Sequence, residues 1–242
     1  MPRHYAGFVV TQKLPLFPLG SPLFPGMVLP LHIFEERYRL LVEDLLAQPE
    51  EATRRFGVVA IKQGWEVGGG AFGDAEPALY EVGCAALVRA VSGRGTGRYD
   101  LVSVGTDRFQ ILKVHREVGP YLQADVEWLP GSDTDADTRP EAAALGDVVG
   151  QLFLRYISEV ASLHGTQIEL PDLPESPREL SYLVAAGALL TAEDRQALLV
   201  EDLTAARLAA LSHLLRRELT VLAALRAVPV PLVQLAVPSS LN

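Results

Sequence analysis

The chain has 242 residues, 49% hydrophobic and 21% charged, with a formal net charge of −9. At ~100–200 residues per domain this allows one or two domains with a sizeable core, and the single cysteine, Cys84, excludes an internal disulfide framework and a cysteine-based zinc cluster. No run reaches the ~18 apolar residues of a membrane span, and the first ten residues lack the apolar core of a secretory leader, so the expectation is a soluble, cytoplasmic protein without a membrane partner.

The acidic charge is unevenly spread. Residues 1–129 hold 13 Lys+Arg against 15 Asp+Glu, whereas residues 130–242 hold 8 against 15. Such a chain lacks the positive field that supplies most non-specific nucleic-acid affinity, so no nucleic-acid partner is expected.

In chain order, the apolar positions Phe34, Tyr38, Leu41, Val42 and Leu45 fall on one helical face and predict a helix from Phe34 to Gln48, stopped by Pro49. The runs 56–61 and 85–91 read as strands. The glycines of Ser92–Arg98 then make a hairpin turn into a strand at 99–104. Two further strands follow at 109–114 and 121–128, the latter alternating strictly. Short strands joined by Gly-rich turns suggest a small barrel or sandwich.

Residues 130–140 are polar, acidic and turn-rich, and form the expected linker between a β domain at 1–129 and a helical bundle at 141–228. Beyond the linker the period changes from 2 to 3.6. Glu141–His164 predicts one helix, and Ser176-Pro-Arg-Glu179 and Thr191-Ala-Glu-Asp194 are capping signatures for two more. A longer helix starts near Asp202, with Leu208, Leu211, Leu215, Leu219, Leu222 and Leu225 on one stripe. The proline-fenced residues 229–242 form an extended apolar arm. The arm either packs on its own fold, as the aggregation cost of exposed apolar tails favours, or reaches a partner, a second copy of the chain included.

Chemistry-bearing motifs are absent from the sequence. The five histidines lack ligand spacing, no His-Glu-x-x-His or calcium loop occurs, and no Gly-Lys pair supports a phosphate loop. Gly93-x-Gly-x-Gly97 joins two strands, so no helix N-terminus stands ready for phosphate. Ser103 lacks a nucleophile-elbow context, and Cys84 reads as a small buried apolar residue. The expectation is therefore no catalytic residue, no metal and no cofactor.

The stretch Leu14-Pro-Leu-Phe-Pro-Leu-Gly-Ser-Pro-Leu-Phe-Pro-Gly-Met-Val-Leu-Pro-Leu-His-Ile-Phe-Glu-Glu-Arg-Tyr-Arg39 resembles the opening of the substrate-binding N-terminal domain of Lon proteases. The runs 56–61, Glu66-Val-Gly68, Tyr80-Glu-Val-Gly83, Gly105-Thr-Asp-Arg-Phe109 and Pro120-Tyr121 agree with it, as do 194–199, 206–208 and 214–218. The resemblance implies an α+β protein: a PUA-like six-stranded β pseudo-barrel with one helix, then an α-helical bundle with a long last helix. It also implies recognition of unfolded or extended polypeptides, with a protease or chaperone as a further partner. The ATPase and protease modules of Lon are not in these 242 residues, so a stand-alone, non-catalytic protein is expected.

Such a role needs bulky apolar residues in loops beside strand edges. Phe24, Met27, Trp65 and Phe72 are the candidates, against the alternative that they plug the barrel ends or the interdomain seam. Because PUA-like barrels elsewhere take other ligands, a small molecule or nucleic acid is the alternative ligand class.

Overall fold

The computed structural model describes residues 11–62, 78–93, 97–116, 119–129, 140–166 and 169–225. The chain divides into two compact units, Met1–Ser132 and Asp133–Asn242.

The first unit holds strands β1 (Gln12–Leu19), β2 (Val28–Ile33), β3 (Arg55–Ala60), β4 (Val82–Gly93), β5 (Tyr99–His115) and β6 (Gln123–Trp128), with helix α1 (Glu36–Leu46) between β2 and β3. The strand order is β2-β5-β4-β3-β1-β6, and β6 pairs again with β5. Five strands thus close into a ring, β5-β4-β3-β1-β6, and β2 lies outside it. The β1–β3 pair is parallel, and the others are antiparallel.

One strand replaces the two expected at 99–104 and 109–114. β5 runs 17 residues and passes straight through Gly105, and its alternating burial slips just beyond, between Gly105 and Arg108. A Cβ at Gly105 would stand 2.2 Å from the Phe24 carbonyl oxygen, so glycine here permits a backbone crossing rather than a turn. β5 pairs with β2 from Tyr99 to Val104, with β4 from Tyr99 to Gln110, and with β6 from Phe109 to His115. Local periodicity gave no sign of β1 and β2, because Pro15, Pro18 and Pro30 sit inside them.

The barrel interior is Leu14, Leu16, Val59, Ala85, Phe109, Ala124 and Val126. Phe109 fills the space left by two glycines on adjacent strands. A Cβ at Gly57 or Gly83 would lie 2.7 or 2.5 Å from its ring. α1 buries Tyr38, Leu41, Val42 and Leu45, and the Tyr38 ring stacks 4.2 Å from Phe17, which in turn meets Phe56 at 6.0 Å. Phe34 departs from the expected buried face: the helix begins after it, and its ring is 62% exposed.

The second unit comprises α2 (Pro140–Leu163), α3 (Pro177–Gly187), α4 (Ala192–Val200) and α5 (Thr204–Leu225). Ser176 Oγ accepts from the Glu179 N–H at 3.2 Å, and Thr191 Oγ1 from the Asp194 N–H at 3.1 Å, so both caps form where the sequence places them. On α5, Leu208, Leu211, Leu215 and Leu222 are buried. Arg207 is buried among them, at 1% exposure. Its guanidinium lies 4.1 Å above the Tyr182 ring, donates to Ser181 Oγ at 2.9 Å and Thr204 Oγ1 at 3.3 Å, and closes on the Glu201 carbonyl. Residues 229–242 lie outside the described residues.

Candidate functional site

The approach to β2 is built by four residues. Phe24-Pro25-Gly26-Met27 form a turn closed by the Met27 N–H donating to the Phe24 carbonyl at 3.2 Å. Proline at the second position and Gly26 at φ 79° are the type II pattern. Gly26 then opens a bulge against β5. Its N–H donates to the Gly105 carbonyl at 2.8 Å, and the Gly105 N–H donates to the Met27 carbonyl at 2.9 Å.

That bulge sets the alternation of β2. With Met27 bonded to Gly105, the backbone groups of Leu29, Leu31 and Ile33 face β5, and those of Val28, Pro30 and His32 face away from it. Among the described residues no strand pairs with that outer side. Pro30 has no N–H, so the outward edge presents three carbonyls but only the donors of Val28 and His32.

The side chains of Val28, Pro30 and His32 also share one exposed face of the sheet, opposite Val104, Val102 and Asp100 of β5. Val28 is 63% exposed and Val102 38% exposed. The Phe34 ring continues the strip 6.2 Å from the His32 ring. His32 Nδ1 lies 2.8 Å from Asp100 Oδ1, which fixes the only polar pair within the strip among the described residues. The arrangement offers an apolar surface beside an unpaired backbone edge, which suits an extended chain adding alongside.

The four candidate residues are distributed differently. Phe24 is 1% exposed, which favours for it the alternative of packing inside the fold. Met27 is half-buried at the bulge. Trp65 and Phe72 lie outside the described residues. Val28, Phe34 and Val102 were missed. Their signal was the alternation Val28-x-Pro30-x-His32-x-Phe34, obscured by the proline within it and by the assignment of Phe34 to the helix.

Chemical groups for catalysis are not assembled there. Burial pushes the Cys84 thiol far above its ordinary range, so it stays protonated. Among the described residues no group of three His, Cys, Asp or Glu side chains could hold a metal ion, and no helix is long and apolar enough to cross a membrane.

The chain resembles known proteins over most of its length. The chain is 29% identical over 214 residues to Lon protease 2 of Myxococcus xanthus, covering 88% of this chain and 24% of that one. It is 30% identical over 214 residues to the Lon protease of Anaeromyxobacter dehalogenans, with the same coverage. The chain thus spans about a quarter of the length of these relatives. The crystal structure of a Lon N-terminal domain protein from Xanthomonas campestris has a TM-score of 0.58 at 26% identity, covering 83% of this chain and 96% of that one. The N-terminal domain of a Mycobacterium avium complex Lon protease shares the fold, with a TM-score of 0.55 at 19% identity over 85% of this chain and 98% of that one. Residues 13–217 match the family of the ATP-dependent protease La (LON) substrate-binding domain, and the chain belongs to that family.

Proposed function

We propose that the chain is a non-catalytic polypeptide-recognition module that captures unfolded or extended segments along the outer edge of β2, acting as an adaptor or holdase. The observation that carries this reading is the edge of β2, unpaired among the described residues, beside exposed Val28, Val102 and Phe34. An incoming strand can accept from the two outward N–H groups, donate to the three outward carbonyls, and lay alternate side chains on the apolar strip. The gap at Pro30 limits the ladder, so apolar burial carries most of the affinity and sequence selectivity is low. Membership in a substrate-binding family supports the same ligand class. A captured segment would pass to a protease or chaperone partner.

The test is suppression of aggregation of an unfolded model protein at stoichiometric ratio. The unaltered chain should suppress it, and a Val28→Asp/Phe34→Asp variant should bind the client about tenfold more weakly, since each substitution removes an apolar contact and adds a buried charge. Both side chains are exposed, so folding should survive. A chain that neither binds the client nor suppresses its aggregation would overturn the reading.

A further inference from the structure

The helical unit contains a groove of about 400 Å³ between α2 and the segment leading into α3. α2 carries glycine one turn apart, at positions 146 and 150, both buried beneath the segment that leads into α3. A Cβ at Gly146 would sit 3.8 Å from both Leu180 and Pro177, and one at Gly150 would sit 3.2 Å from Leu173. Leu154 and Leu173 form half-buried apolar walls. The rim carries Asp147 and Glu175, both exposed, and no Lys or Arg lines the groove. Among the described residues neither carboxylate has an ion-pair partner. The groove is open to solvent, so it can admit a side chain that remains attached to a backbone.

We propose that this groove docks a short cationic, amphipathic stretch of another polypeptide. An apolar side chain, or the aliphatic stem of a lysine or arginine, lies against the half-buried Leu154 and Leu173. The cationic head group then reaches Asp147 and Glu175 at the rim. A long basic side chain divides in this way, with its stem on apolar surface and its charge in water. An acidic or uncharged segment would leave both carboxylates uncompensated and gain only the apolar contact. The groove is separate from the β2 edge and selects by charge, where that edge selects by apolar content.

The experiment uses the full chain and three labelled synthetic peptides sharing one Leu-rich core, flanked by lysines, serines or glutamates, with binding read by fluorescence anisotropy. The lysine-flanked peptide should bind roughly twofold to thirtyfold more tightly than the serine-flanked one, as two exposed charge pairs allow. That preference should fade toward ~1 M salt, where charges a few ångströms apart are screened. An Asp147→Lys/Glu175→Lys variant should reverse the order of the lysine- and glutamate-flanked peptides, and a Val28→Asp/Phe34→Asp variant should keep the original order. Equal binding of all three peptides, or an order unchanged by the Asp147→Lys/Glu175→Lys variant, would overturn the inference. Loss of all binding in the Val28→Asp/Phe34→Asp variant would also overturn it, while leaving the function proposed for β2 standing.

Discussion

In the barrel the walls are backbone. β5 alone is laddered to β2, β4 and β6, and the interior beneath is filled by a few large side chains laid over glycines. In the helical unit each element satisfies its own backbone, and side chains hold the elements together: Tyr182 beneath Arg207, and Tyr156 Oη accepting from the Leu189 N–H at 3.2 Å. Sensitivity to substitution should therefore fall at different kinds of position. The barrel should be intolerant where two backbones approach, and the helical unit where a long side chain is enclosed.

The largest expected effect is at Arg207. Arg207→Ala removes the ring contact and leaves Ser181, Thr204 and the Glu201 carbonyl short of a donor in a buried space, at a cost of ~3–5 kcal/mol. Far-UV circular dichroism during urea unfolding would register it, because the helical signal comes mostly from this unit. A cost below about 1 kcal/mol would mean that the helical unit does not depend on its enclosed side chains in the way argued.

Next comes Gly105→Ala in the barrel. The new methyl group would meet the Phe24 carbonyl at 2.2 Å, and relieving that overlap should cost ~1–3 kcal/mol. Both tryptophans, Trp65 and Trp128, belong to the first unit, so tryptophan fluorescence would follow this loss separately. An unchanged fluorescence transition would show that the β2–β5 crossing is not a tight point.

The smallest effect concerns Tyr121, whose hydroxyl donates to Asp44 Oδ2 at 2.6 Å and ties α1 to the approach of β6. Partial burial, then the bond to Asp44, push its pKa up to about 12 from 10.0. A raised phenol pKa means that the neutral form is favoured by folding. Its contribution is therefore complete below pH 10 and is lost as the pH rises toward 12. A Tyr121→Phe variant should be slightly less stable at neutral pH, and the gap to the unaltered chain should close across that window. A gap independent of pH would assign the effect to packing alone.

Legibility in the sequence followed the same contrast. The caps at Ser176 and Thr191 and the leucine stripe of α5 are local, and each was readable from a few neighbouring residues. Barrel closure was not. The β5–β6 pairing and the Phe24–Gly105 crossing join residues far apart in sequence, so Gly105 looked like a turn and Phe24 like a loop residue. Arg207 was equally opaque, because an arginine on a helix reads as a solvated charge until Tyr182 is found beneath it. At the candidate site, proline at position 30 concealed a strand whose alternation was otherwise plain.

That proline has a consequence for self-association. An exposed strand edge with apolar neighbours is a template on which a second copy of the same chain can pair. A second β2 laid antiparallel on the first would bring its own missing donor, leaving carbonyls unmet on both strands. A foreign segment has no such defect and loses only one bond to Pro30. The absent hydrogen thus penalises the pairing of two copies twice and the docking of a foreign strand once.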